Sequence, residues 1–131
     1  MTEFDEVKDS GERQEFDTGS LRDTQNGKGR FDLMPPYALY RLARHYENGA
    51  LKYNPRNWEI GQPLSRYLDS ALRHLNKASM GFTDEDHLSA AVWNILGIIE
   101  TEKRIELKML PQELNDLPNT YKDFKEEEVL N

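Results

Sequence analysis

Two apolar stripes at helical spacing run through the middle of the chain, separated by a single glycine-led break at Gly81. Leu64, Leu68, Ala71, Leu72 and Leu75 share one face of the segment from about Pro63 to Met80. Leu88, Ala91, Val92, Ile95 and Ile99 share one face of the segment from about Asp84 to Leu107. Recurrence at three and four residues over such lengths is the signature of amphipathic helices. A third pattern precedes them, from about Pro36 to Asn48, with Leu39, Leu42, Ala43 and Tyr46 in register and Gly49 as its expected stop. Thr83, with Asp86 three residues on, approximates a capping box for the last long helix, and Pro111 ends it. A short helix is possible around residues 112–115. No strand signal and no internal repeat stands out, so the expected fold is all-α, a compact bundle of three to four main helices behind a long N-terminal loop segment.

At 131 residues the chain is long enough for one core. The expected organisation is a mobile acidic arm over residues 1–20, a helical domain over 21–116 and an acidic tail over 117–131. No apolar run approaches the roughly 20 residues that span a bilayer, and the N-terminus lacks the pattern of a secretory signal. Cysteine is absent, which excludes disulfides and thiolate metal sites. The expectation is a soluble, cytoplasmic protein.

Charge is unevenly spread. Residues 1–27 hold 3 Lys or Arg against 8 Asp or Glu, residues 28–80 hold 9 against 4, and residues 81–131 hold 5 against 12. A basic island inside an acidic protein suits a small polyanion in a local pocket better than a nucleic-acid surface.

The ionisable residues fall beside the apolar stripes. His87, Ala91 and Asn94 line one flank of the last long helix, following the acidic run Asp84-Glu85-Asp86. On the preceding helix Asp69 and His74 lie on opposite flanks. Asp69, Asp84, Asp86 and His87 form a candidate ligand set, with Glu47 as a further carboxylate. Oxygen donors without thiols point to Mg²⁺ or Mn²⁺ rather than Zn²⁺. First-turn acids also satisfy a helix dipole without any metal, and each histidine could be a hydrogen-bonded flank residue. Lys28 and Arg30, set among glycines, and Lys52, Arg56 and Arg73 are candidate phosphate ligands. Tyr53, Asn57 and Trp58 join a stacking surface to an amide that can read a base edge, although Trp58 could equally fill a core.

The motifs GKGRFDLMPP, GALKYNPRNWEIGQPLSRYLDSALRHL and DEDHLSAAVWNIL resemble the phage and bacterial family of dATP/dGTP diphosphohydrolase N-terminal domains. The likeness covers about Gly19 to Leu96. It implies metal-dependent cleavage of a purine deoxynucleoside triphosphate to monophosphate and pyrophosphate, and kinship with the all-α nucleotide pyrophosphohydrolases of MazG type. Those enzymes carry acidic pairs of the form E-x-x-E and E-x-x-D, whereas this chain has Asp69 before Arg73-His74, and Asp84, Asp86 and His87. On the residues present, the expected catalytic groups are Asp69, His74, Asp84 and His87, with metal on Asp69, Asp84, Asp86 and His87. Lys28, Arg30, Lys52, Arg56 and Arg73 would clamp phosphates, and Tyr53, Asn57, Trp58 and Asn94 would hold the nucleoside.

Two other readings stay open. One is a catalytically silent nucleotide-binding or sequestering protein, such as a phage anti-defence device acting in a bacterial host. The other is a purely structural helical module. Trp93 and Gly97, on the back of the last long helix, suggest self-association as a dimer or tetramer through that side.

Overall fold

The computed structural model describes residues 6–118 and falls into two compact units, residues 1–35 and 36–131. The first contains a small hairpin, β1 (Arg13–Glu15) and β2 (Leu21–Asp23), paired antiparallel with Arg13 opposite Asp23 and Glu15 opposite Leu21. Its turn closes where Phe16 N–H donates to Ser20 O at 2.9 Å and Gly19 N–H to Phe16 O at 2.8 Å, with Gly19 at φ 87°. The Asp23 carboxylate draws in the Ser10 N–H at 3.1 Å and the Lys28 ammonium at 2.8 Å. This hairpin replaces the expected aperiodic arm and contradicts the absence of strands. Three-residue strands are too short to show an alternation, so only the turn Asp17-Thr18-Gly19-Ser20 signalled it. The unit boundary at Pro35 also differs from the boundary after residue 20 drawn from sequence.

The second unit is helical: α1 (Pro36–Lys52), α2 (Leu64–Ser79) and α3 (His87–Glu106). Proline at the first position of α1 costs nothing, since that N–H has no intrahelical partner. The helix runs through Gly49 rather than stopping there. Gly49 is not at positive φ, so it acts as an ordinary, if weak, helical residue. A 3-10 turn, Asn57–Glu59, follows, and Arg56 ahead of it sits in the left-handed region at φ 61°. Pro63 leads α2 but offers no capping side chain. Asp116 supplies one from the far end of the unit, accepting from Ser65 N–H at 2.9 Å and from the Ser65 hydroxyl. A 3-10 turn at Gln112–Leu114 stands where a short helix was expected.

Helix α3 starts at His87, later than expected, because Asp86 rather than Thr83 is its cap. The Asp86 carboxylate accepts from Ser89 N–H at 3.2 Å and Ser89 Oγ at 2.8 Å, satisfying an orphan donor of the first turn. Lys103 and Arg104 close the last turn, where cations complement the helix dipole.

The helix faces depart most from the sequence reading. Helices α2 and α3 pack as an antiparallel pair, and their buried residues are Leu64, Tyr67 and Ala71 on α2 and His87, Ser89, Ala90, Ala91, Asn94, Gly97, Thr101 and Ile105 on α3. A Cβ on Gly97 would lie 2.5 Å from a Tyr67 ring carbon, so the close approach of the helices at this point requires glycine. Small side chains let the two backbones come together around the Tyr67 ring. Leu68, Leu72, Leu75, Leu88, Val92, Ile95 and Ile99, expected inside, are exposed. Trp93 and Gly97, expected on an outer face, are inner: Trp93 lies between Tyr46 of α1 and Tyr67, with ring centroids at 6.2 and 5.8 Å. Helix α1 packs on α3 through that aromatic contact and through Arg41, which grips Asp86 with bonds of 2.7 and 2.6 Å. No helix among the described residues is long and apolar enough to cross a membrane. The expected tail, from residue 119 on, lies outside the described residues.

Candidate nucleotide cleft and histidine pair

Four parts of the helical unit converge on one cleft of about 540 Å³. The second half of α1 contributes His45, Tyr46, Gly49 and Ala50, and the following loop contributes Tyr53 through Trp58. Helix α2 adds Arg66, Asp69, Ser70, Arg73 and His74, while α3 adds Trp93 and Asn94. The residues of α2 recur at three- and four-residue steps, so one side of a single helix presents them all. Volumes of roughly 300–1,000 Å³ are typical of small-molecule sites.

The lining combines cationic and aromatic side chains. Arg73 donates to Asp69 Oδ2 at 2.7 Å across one helical turn. Arg56 is paired with Glu59. The guanidinium of Arg104 lies 5.0 Å from the centre of the Trp58 ring and that of Arg56 5.7 Å. The backbone of Arg56 is in the left-handed region, an uncommon conformation for a residue with a side chain. Asn94 is buried, with its amide donating to Ala90 O at 2.8 Å, so its orientation is fixed.

At the end of the cleft His74 meets His87. Their Nδ1 atoms are 2.9 Å apart and their ring centroids 5.2 Å. His87 is 2% exposed, and its Nε2 lies 2.8 Å from Asp84 Oδ1. A carboxylate can only accept, so this contact places a proton on His87 Nε2 and orients the ring. The bond from His87 in turn holds the Asp84 carboxyl below the usual carboxylate range. Burial pushes the His74 pKa down, against the opposing pull of Glu85. Two bare Nδ1 lone pairs cannot face each other at this distance without a proton or a cation between them. His74, Glu85 and His87 each offer a ligand atom, all within 4.8 Å of one another.

The structure thus brings together Tyr53, Arg56, Asn57, Trp58, Asp69, Arg73, His74 and Asn94 in the cleft; His87 reaches it only through His74, and Asp84, behind His87, does not line it. Other candidates are placed elsewhere. Lys52 does not line the cleft; its ammonium lies 5.2 Å from the centre of the Tyr53 ring. Lys28 and Arg30 belong to the N-terminal unit, where they pair with Asp23 and Asp32. Asp86 has both oxygens occupied by Arg41 and Ser89, which draws its carboxyl well below the usual range and leaves little to offer a metal. Glu47 pairs with Arg44 at 3.0 Å. The reading from sequence missed His45, Tyr46, Arg66 and Trp93, and passed over Glu85 as a ligand. Arg66 was detectable, being three and seven residues before Asp69 and Arg73; His45 and Trp93 depend on how α1 docks.

Residues 18–109 match the family described as dATP/dGTP diphosphohydrolase, N-terminal. No curated protein and no solved structure matches the chain.

Proposed function

The chain belongs to the dATP/dGTP diphosphohydrolase N-terminal family, and from that membership we propose that its cleft binds a purine deoxynucleoside triphosphate and hydrolyses it to monophosphate and pyrophosphate. The observation that carries this reading is the make-up of one cavity: stacking rings and guanidinium groups line it, and His74, one member of the histidine pair, reaches into it. Trp58 and Tyr53 offer faces to a base, and Asn94 and Asn57 offer amides to its edge. Arg66 and Arg73 both line the cleft from α2 and would neutralise phosphate oxygens. Arg73 would exchange its bond to Asp69 for phosphate oxygens.

His74, Glu85 and His87 would hold a divalent cation. The donor set fits: burial favours a neutral His74, and Asp84 takes the Nε2 proton of His87, so both Nδ1 atoms can serve as ligands. Two imidazoles beside one carboxylate favour Mn²⁺ over Mg²⁺. When bound, such an ion supplies positive charge to the phosphate and lowers the pKa of a coordinated water. Asp84 acts on His87 alone, as a positioning residue. The guanidinium groups neutralise the charge that accumulates on the departing pyrophosphate.

A silent nucleotide-binding protein is the second reading, favoured by the engagement of Asp69, Asp84 and Asp86 in internal contacts. One experiment separates the two. The purified chain is incubated with dATP, dGTP, dCTP or dTTP and Mn²⁺, with pyrophosphate and monophosphate quantified and thermal shift followed in parallel. Pyrophosphate from the purine nucleotides supports hydrolysis, and its loss in His87→Ala supports the site. A purine-specific thermal shift with no pyrophosphate selects the silent reading, and neither signal from any nucleotide rejects both.

A further inference from the structure

A second cavity, of about 370 Å³, adjoins the nucleotide cleft. Tyr46, Trp58 and Trp93 line both, so these rings form their common boundary. Beyond the rings the second cavity is lined from α3 by Leu96, Gly97 and Glu100. Trp93, Leu96, Gly97 and Glu100 recur at steps of three and one, so a single stripe of α3 supplies most of that lining. Its volume falls within the roughly 300–1,000 Å³ usual for small-molecule sites.

Glu100 is the only charged residue among the described residues that line this second cavity. Its Oε2 accepts from Arg104 Nε at 2.8 Å, and among the described residues no hydrogen bond is made to Oε1. Arg104 is itself held in place: its side chain is 18% exposed, and its guanidinium lies over the Trp58 ring. The pair therefore fixes the direction of the carboxylate and offsets its charge. An aromatic box with a bare carboxylate would favour an organic cation, and the guanidinium removes that preference. The carboxylate keeps its capacity to accept hydrogen bonds through both oxygens.

We propose that a base stacked on Trp58 turns its hydrogen-bonding edge to Glu100, and that this contact selects guanine. Guanine presents two donors side by side, N1–H and the 2-amino group, which match the two oxygens of a carboxylate. Adenine presents a bare N1 lone pair there, and a carboxylate has no proton to give it. Hypoxanthine keeps N1–H and lacks the amino group, so it makes one of the two bonds. Stacking on the rings is open to any purine, and the edge alone discriminates. Arg104 acts through Glu100, as a positioning residue. The inference rests on the nucleotide reading of the cleft and narrows its ligand from purine to guanine.

The test is calorimetric titration of the full chain, with Mn²⁺, against the α,β-methylene triphosphates of deoxyguanosine, deoxyinosine and deoxyadenosine. These analogues cannot be cleaved between the α and β phosphates, so binding is read without turnover. Wild type is compared with Glu100→Gln and with Glu102→Gln, which makes the same charge change at an exposed position of the same helix. The guanine analogue should bind at least about tenfold more tightly than the adenine analogue, with hypoxanthine between them. Glu100→Gln should shrink that ratio to about threefold or less, because an amide can also donate to adenine N1, and Glu102→Gln should leave it unchanged. Far-UV circular dichroism reports whether Glu100→Gln keeps its helices; if it does not, the order of the three bases on the wild type decides. Equal binding of guanine and adenine, tighter binding of adenine, or a guanine preference that folded Glu100→Gln retains overturns the proposal and leaves the purine cleft standing. Failure of all three analogues to bind overturns both.

Discussion

Replacing Gly97 by alanine tests the packing of α2 on α3 with one methyl group. The added Cβ would lie 2.5, 2.8 and 2.8 Å from three atoms of the Tyr67 ring. Tyr67 is 1% exposed and held between the two helices, so the helices must separate by about 1 Å to reach van der Waals contact. That separation loosens the neighbouring contacts of Ala71, Ala90 and Ala91 together. Overpacking of this kind costs typically 1–3 kcal/mol, and three simultaneous short contacts place it near about 3. Alanine regains about 1 kcal/mol of helix propensity over glycine, leaving a net loss of about 2 kcal/mol. For a domain of this size that lowers the melting temperature by roughly 8–16 °C. Gly49→Ala is the matched control, since Gly49 is also helical but a Cβ there meets nothing within 4 Å. It should gain about 0.5–1 kcal/mol. Both variants are compared with wild type at one protein concentration by urea and thermal denaturation. If Gly97→Ala proved as stable as wild type while Gly49→Ala behaved as expected, the close α2–α3 approach would be refuted.

Further outcomes follow from the site and the caps. Asp84→Asn should weaken Mn²⁺ binding by roughly 10–100-fold with little change in fold, measured by titration calorimetry, because the partner orienting His87 is lost. Asp86→Ala should cost about 1 kcal/mol as a lost helix cap, read from urea denaturation, whereas Arg41→Ala should leave the cap in place and cost less. The Asp116 carboxyl is held below its usual range by Ser65, so its contribution is present above the unfolded carboxylate pKa and fades as pH falls through the lower folded value. The melting-temperature gap between wild type and Asp116→Ala should therefore be full at neutral pH and close in acid; a gap that widened in acid would contradict this capping role. Trp58→Ala should reduce the thermal shift given by dGTP more than it reduces the melting temperature of the unliganded protein.

The sequence by itself determined where helices lie, because period, proline and glycine punctuation and capping residues are local properties. It placed α1, α2 and α3 to within a few residues, and it supplied the loop from Tyr53 to Trp58 and three of the α2 residues that line the cleft, Asp69, Arg73 and His74. It also carried the motifs of the family. It did not decide which stripe of each helix turns inward. By hydropathy alone Leu68, Leu72, Val92 and Ile95 belong in a core, and the chain puts them outside. The reason is distance: Ala71, Ala90, Ala91 and Gly97 permit a backbone approach that the leucines would prevent, and Tyr67 fills the space they leave. The register of that close pair then sets His74 against His87, thirteen residues away in sequence, and assigns Asp84, Glu85 and Asp86 three different partners. Adjacent carboxylates look alike in a sequence; only the packed helices give one a histidine, one a place near two imidazoles and one an arginine.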